Sequence, residues 1–450
     1  MIRTFALVIA CATIACTPSS VAEAADAVLV PSDLRAVLTA ARGAPAMVCA
    51  LAADAIGRRG WYGGNLDAPH APLPKVRLIG DDENRDETVP AEDVQLLIDN
   101  LSAVDMCVRE LSVRILGRVR SSLATSGLLS KLTDGDASVR STAALGLGLA
   151  EPGTVTPQLV TALRDPAASV RANAAWALSR IEDGASLRGL VSAMADPDST
   201  VREAVVSAVG QLDSASAIPA LLRVLREDRV ASVRRTAAWA LGQLEAETAV
   251  RDLVDVLGKD ADPRVREMCA WALGEIEEKS SVAGLKVAAQ RDVDAHVRES
   301  AVWALGEIGD ADAASVLGEV LARDADRKVR GTAAWALGNI ETRKAPEGLI
   351  AAVSDADDEI RTKAAWALGE IRDPAALSAL RAAIRLEKNS KARRAQLRAL
   401  IQTGERSETT LTELLDSSDP EVREAAVRGL AGRSATNPWP WPQPRPRPFP

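Results

Sequence analysis

Apolar residues along most of this chain recur at helical rather than strand spacing, inside a phrase that keeps returning. Its fullest form is Val-Arg-x-x-Ala-Ala-Trp-Ala-Leu-Gly-x-Ile. The opening residue falls at Val108, Val139, Val170, Val201, Val233, Val265, Val297, Val329, Ile360, Ala392 and Val422. Successive starts lie 31, 31, 31, 32, 32, 32, 32, 31, 32 and 30 residues apart. An earlier copy runs from Val48 to Gly57, which makes eleven or twelve in all. Self-similarity at such a period predicts stacked supersecondary units.

Each unit reads as two helices. Ala217 to Arg226 carries Ile218, Leu221, Leu222 and Leu225 at helical spacing and predicts a first helix. A turn follows, often Asp-Pro, as at Asp165-Pro166, Asp196-Pro197 and Asp262-Pro263. Ser138, Ser169, Thr200 and Ser232 then stand where a hydroxyl could cap the second helix. Counting the opening residue as position 0, positions 0, 4, 7, 8 and 11 share one face of that second helix and should pack on the first. One hairpin cannot bury its apolar stripe alone, so neighbours must stack and share stability along the array.

The repeated phrase and the turn Asp resemble the HEAT repeat family, in the short form also seen in phycobilin lyase-type proteins. The resemblance covers roughly Leu34 to Gly432. It implies an all-α fold, an α-solenoid of about eleven to twelve hairpins wound as a right-handed superhelix, with the second helices on the concave side. It also implies a ladder between turn Asp and second-helix Arg residues, for example Asp165 and Asp196 with Arg171 and Arg202. The motif speaks for fold and hardly at all for activity.

The organisation expected is a signal peptide over 1–24, N-terminal capping helices and a first repeat over 25–57, an inserted Gly/Pro/charged loop over 58–90, the array over 91–432 and a Pro-rich tail over 433–450. Arg3, the apolar run Phe5 to Ala15 and the small residues of Ala22-Glu23-Ala24 have the layout of a cleaved export signal. The apolar run is too short to span a bilayer. A periplasmic or secreted protein follows, and two Cys-containing boxes ending at Cys11 and Cys16 leave a lipid-anchored envelope protein as the alternative. The net charge of −8 gives no basic footprint for nucleic acid. The aromatic content of 3% leaves the core to small aliphatic side chains.

Catalytic chemistry finds little support. Only His70 and His296 exist, without the His-Glu pairs of a HEAT-type hydroxylase, and no zinc helix, nucleophile elbow or phosphate loop is present. No enzyme activity and no cofactor are expected. Cys49 falls at the Arg position of its unit and Cys107 one residue before the next Val. The two flank a junction where other units would place a ladder rung, and a disulfide is expected there, favoured by an oxidising compartment. Cys269 replaces a core Ala and reads as an inert small hydrophobe.

Position 6 holds Trp176, Trp239, Trp271, Trp303, Trp335 and Trp366. Glu267 and Glu299 at position 2, with Glu275, Glu307 and Glu370 at position 10, fall on or beside the same helix face. Two readings stand: each indole packs over the small residues of its neighbour, or the row is a ligand platform with acidic flanks. The tail, with Pro438-Trp439-Pro440-Trp441 and with Arg445 and Arg447, favours a polyproline II form that aromatic grooves bind. It is a candidate occupant or else a solvated spacer. The functional expectation is a non-enzymatic scaffold of the cell envelope that holds a protein, a proline-rich or basic peptide, its own tail or a glycan on the concave surface. The alternatives are a HEAT-like lyase or modifying enzyme, and a regulatory module of an envelope sensor system.

Overall fold

A computed structural model describes residues 34–45, 49, 89–119, 121–405, 407–416 and 420–430. The proposed signal, the proline-rich tail and all but the last two residues of the 58–90 insertion lie outside them. The described residues are helical and contain no strand, and they fall into two compact units divided after Ile181.

The first unit contains α1 (Leu34–Ala41), α2 (Ala91–Asn100), α3 (Met106–Leu116), α4 (Ser122–Lys131), α5 (Ala137–Ala150), α6 (Thr156–Ala162) and α7 (Ala168–Ile181). The second contains α8 (Leu187–Ala193), α9 (Ser199–Gln211), α10 (Ile218–Glu227), α11 (Ala231–Gln243), α12 (Val250–Lys259), α13 (Pro263–Ile276), α14 (Val282–Arg291) and α15 (Ala295–Ile308). It continues through α16 (Ala314–Arg323), α17 (Arg327–Asn339), α18 (Glu347–Ala352), α19 (Asp358–Ile371), α20 (Leu377–Leu386), α21 (Ser390–Gln402), α22 (Glu408–Leu415) and α23 (Pro420–Leu430). Within each unit a helix packs on its partner in the hairpin and on its counterparts in the neighbouring hairpins, so first helices form one layer and second helices another. This is the α-solenoid arrangement that the period predicts.

The apolar stripe lies where helical spacing puts it. In α13, Val265, Cys269, Ala272 and Leu273 are fully buried, and in α15 so are Val297, Ala301, Ala304 and Leu305. The first helix α10 buries Leu221, Val224 and Leu225 against this layer. Burial pushes the Cys269 thiol well above its ordinary range, so a thiolate there is suppressed and the residue packs as a small apolar group.

The helix starts differ from the sequence expectation. The cap is an aspartate two residues before the expected hydroxyl: Asp136 accepts from the Ser138 N–H and Asp198 from the N–H groups of Thr200 and Val201. Asp294 and Asp326 act likewise on His296 and Lys328. A carboxylate at the positive end of the helix gains from the dipole as well as the hydrogen bond. The helices therefore begin a residue or two earlier than a Ser or Thr cap would allow. Ser232 is no cap either, since α11 begins after Val230, which offers no capping side chain.

The aspartate–arginine ladder is present, with two roles divided between side chain and main chain. Arg202 sends Nε and Nη2 to Asp228 of the next hairpin, at 2.6 and 3.0 Å, and Nη1 to the Asp196 carbonyl of its own. Arg171 likewise donates to the Asp165 carbonyl, while the Asp165 carboxylate receives Arg140. The same fork joins Arg234 to Asp260, Arg266 to Asp292, Arg298 to Asp324 and Arg361 to Glu387. Bidentate geometry and low exposure raise these pairs above ordinary surface ion pairs.

The ladder carries a pH prediction. Arg140 beside Asp165 holds that carboxyl below the usual range, aided by the Ala167 N–H and opposed by burial. For Asp292 and Asp324 burial is the largest influence and acts upward, yet the arginine hydrogen bonds and a backbone N–H outweigh it and the net direction is down. A carboxyl lowered on folding stabilises the fold above its unfolded pKa and loses that contribution as pH falls through the folded value. Stability should therefore fall steeply below about pH 4. Thermal melts between pH 7 and pH 2.5 check this; a flat profile across the acid limb would exclude the ladder as a major support.

Cys49 and Cys107 are joined as a disulfide across 58 residues, with Cα atoms 5.6 Å apart. Their place in the repeat explains the pairing. Cys49 occupies the Arg position, and Ala103 stands five residues before Val108, where other hairpins carry the ladder carboxylate. No rung can form between those two residues, and the disulfide spans the gap.

Candidate functional site

The second-helix layer of the second unit brings the candidate residues into one strip, because positions 2, 6 and 10 lie one helical turn apart on each helix. Glu203, Arg235, Glu267 and Glu299 occupy position 2 of α9, α11, α13 and α15. Trp239, Trp271, Trp303, Trp335 and Trp366 occupy position 6 of successive second helices, and Glu275, Glu307 and Glu370 occupy position 10. Trp176 holds the same place on α7 in the first unit.

The tryptophans are mostly sunk into the layer. Trp303 and Trp335 are 2% exposed, Trp176 7% and Trp271 9%, while Trp239 and Trp366 are half-buried. The ring edges abut a glycine at position 9 of the preceding second helix. A Cβ added at Gly274 would lie 2.6 Å from Cζ3 of Trp303 and 3.0 Å from the Ala304 Cα. Gly148 stands so toward Trp176, Gly210 toward Trp239, Gly242 toward Trp271, Gly306 toward Trp335 and Gly338 toward Trp366. Each indole is thus a wedge filling the space that glycine opens between two closely approaching helices. The buried Nε1 groups of Trp176 and Trp303 have no hydrogen-bond partner among the described residues. Apolar area, not the N–H, is what Trp176 and Trp303 use. Packing occupies most of the row, and the indole surface left to a ligand is concentrated at Trp239 and Trp366.

The glutamates behave differently. Glu267, Glu275, Glu299 and Glu307 are half-buried, and Glu370 is exposed. Burial pushes the Glu267 carboxyl above the usual range; Asp294 and Glu299 add to this, and His296 and Arg235 oppose it. Burial also raises Glu299, against Lys328, His296 and a long hydrogen bond of 3.4 Å from the Thr332 hydroxyl. Glu203 shows the same position satisfied, since Ser232 of the next hairpin donates to it at 2.8 Å. For Glu267 and Glu299 the corresponding neighbours are His296 and Lys328, neither of which hydrogen-bonds them. Among the described residues the Glu267 side chain has no hydrogen-bond partner at all.

The acidic residues have basic flanks that the sequence reading passed over. Arg235, His296 and Lys328 set the local field, and they were legible only as residues in register with Ser232 or Glu203 of another hairpin. Among the described residues, no group of three or more His, Cys, Asp or Glu side chains is placed to hold a metal ion. No helix among them is long and apolar enough to cross a membrane.

A family model described as HEAT repeats matches at residues 125–208, 156–242, 187–267, 225–306, 250–327 and 314–401, more than half of the chain. The chain belongs to the HEAT repeat family. No curated protein sequence matches it. Among solved structures, it is similar to Kap95p as seen in complex with RanGDP, at 16% identity and a TM-score of 0.52, over 76% of this chain and 57% of that one. Yeast importin-β (Kap95p) alone is similar at 14% identity and a TM-score of 0.51, over 72% and 52%. The CpcE–CpcF complex of phycocyanin lyase from Nostoc sp. is similar at 26% identity over 52% of this chain and 92% of that one, with a TM-score of 0.33. The two Kap95p likenesses show the shared HEAT solenoid fold.

Proposed function

We propose that this HEAT protein is a non-enzymatic scaffold of the cell envelope whose second-helix layer, around α13 and α15, holds a basic, extended peptide segment of a protein partner. The observation that carries this reading is the Glu267 carboxylate, half-buried and without a hydrogen-bond partner among the described residues, one hairpin away from Glu299, whose carboxyl burial also raises. A carboxyl whose pKa is raised on folding costs stability when it ionises, so carrying charge at Glu267 and Glu299 works against the fold. A cationic ligand offsets that cost, and unfavourably placed charges of this kind concentrate at functional sites. Glu275 and Glu307 extend the same strip, and Trp239 offers apolar surface beside it. The Cys49–Cys107 bond supports an oxidising compartment, in keeping with the export signal expected from the sequence. Kap95p, whose fold is similar, binds the protein RanGDP.

The test is a Glu267→Gln/Glu299→Gln double variant titrated with a synthetic peptide alternating Arg and Pro. Affinity should fall about tenfold for each charge removed, equivalent to about 1.4 kcal/mol apiece. The melting temperature at pH 7 should stay level or rise. Undiminished binding by the double variant would overturn the assignment of the site.

A further inference from the structure

We propose that the chain's own proline-rich segment, residues 433–450, is an intramolecular occupant of the acidic strip on α13 and α15, so that external basic peptides compete with it. This rests on the reading of that strip as a basic-peptide site and names its resident ligand.

Charge complementarity supports the pairing. The segment contains Arg433, Arg445 and Arg447 and no acidic residue. The strip contributes Glu267, Glu275, Glu299 and Glu307. Alternating proline from Pro438 to Pro450 removes backbone donors and presets an extended form, which lowers the entropy lost on docking.

Reach supports it independently. The last helix, α23, ends at Leu430, and the second helices between it and α15 are α21, α19 and α17, each packed on the next. Packed helices lie about 8–10 Å apart, so four steps place Glu299 about 32–40 Å away and five place Glu267 about 40–50 Å away. An extended chain advancing about 3.1 Å per residue covers about 46 Å from residue 431 to Arg445 and about 53 Å to Arg447. The segment is therefore long enough for Arg445 and Arg447 to reach either glutamate, while a segment half as long would stop over α17. The path crosses α19, where Trp366 is half-buried and presents indole surface to the prolines. A tethered ligand of this length acts at roughly millimolar effective concentration, enough to mask a site of modest affinity.

The experiment compares the full chain with a full-chain Arg445→Glu/Arg447→Glu variant, using a synthetic peptide of residues 433–450 as probe. The variant should bind the probe about tenfold more tightly than the unaltered chain, and adding Glu267→Gln/Glu299→Gln should abolish that gain. Equal affinity of the two chains for the probe overturns the proposal. If the peptide alternating Arg and Pro also binds both chains equally, the strip remains a basic-peptide site and only the internal occupant is lost. If neither peptide binds either chain, both readings fall. A masking effect that disappears on dilution, with dimers seen by sedimentation at higher concentration, would assign the segment to a second copy and likewise overturn the intramolecular contact.

Discussion

Trp303→Ala should destabilise the second unit by about 3–5 kcal/mol, the range for removing a large buried aromatic side chain. Its indole is 2% exposed and meets Gly274 of the preceding helix, so truncation leaves a cavity between α13 and α15 that neither backbone can close without moving the ladder pair Arg266–Asp292. Trp239→Ala, at a half-buried position, should cost distinctly less. Trp303→Phe should also cost less than the alanine change, because it keeps most of the ring and removes an Nε1 group that has no partner. The converse experiment is Gly274→Ala, which drives a Cβ to 3.0 Å from the Ala304 Cα. Overpacking of that kind costs about 1–3 kcal/mol, and combining it with Trp303→Ala should recover part of the loss. Chemical denaturation of the five variants decides the matter. If Trp303→Ala melts as the parent does yet loses peptide affinity, the row serves ligands rather than packing.

That result bears on how much could be learned from the residues in order. A steady spacing of 31 or 32 residues is a geometric instruction, because units of equal length can stack only in register, and it conveyed the stacked hairpins, while the ladder came from the resemblance to HEAT repeats. The Cys49–Cys107 pairing was legible for the same reason, since the repeat supplies the alignment that puts two cysteines at one junction. The depth of Trp303 was not. Helical phase gives the direction in which a side chain leaves its own helix, but exposure depends on how near the next helix comes. Gly274, three residues after Trp271 in the same phrase, was the available signal: a glycine kept inside a helix against its propensity marks a close approach. The caps misled because Ser138 and Asp136 both suit a helix start, and the choice between them turns on where the preceding turn releases the chain. The raised carboxyls of Glu267 and Glu299 were invisible for a further reason. Their environment is made by His296 and Lys328 of the following hairpins, and a charge field summed across hairpins has no local signature.

Wedges and rungs also divide the labour across the layers. The ladder pairs hold the turns of adjacent hairpins at a fixed offset, and the Trp–Gly contacts hold the second helices at a short distance. Position 2 is where identity varies, from Glu203, which accepts from Ser232, through Arg235 to Glu267, Glu299 and the buried Gly331. Variation at one position of a repeat changes the array hairpin by hairpin without altering its period.

Opening the Cys49–Cys107 disulfide should remove about 4 kcal/mol from the N-terminal end of the first unit, the chain-entropy value for a loop of 58 residues. The effect should be confined. In a stacked array each hairpin contacts only its neighbours, so the loss falls on α1 and its packing against α3. Ala103 offers no carboxylate, and besides the disulfide the tie at this junction includes the Asp105 carboxylate accepting from the Gly43 N–H at 2.8 Å. A single hydrogen bond of that kind is worth about 1.5–3 kcal/mol and does not replace the covalent link. Hydrogen exchange on the Cys49→Ser/Cys107→Ser variant should show α1 losing most of its protection while α13 and α15 keep theirs, and a thiol reductant should reproduce the pattern in the parent chain. Replacing the link with a ladder rung, through Cys49→Arg, Ala103→Asp and Cys107→Ala together, should restore part of the protection, because it returns this junction to the chemistry of the others. Protection of α1 that is indifferent to reduction would mean that apolar packing alone secures the first hairpin, and the cysteine pair would then have no structural purpose at this position.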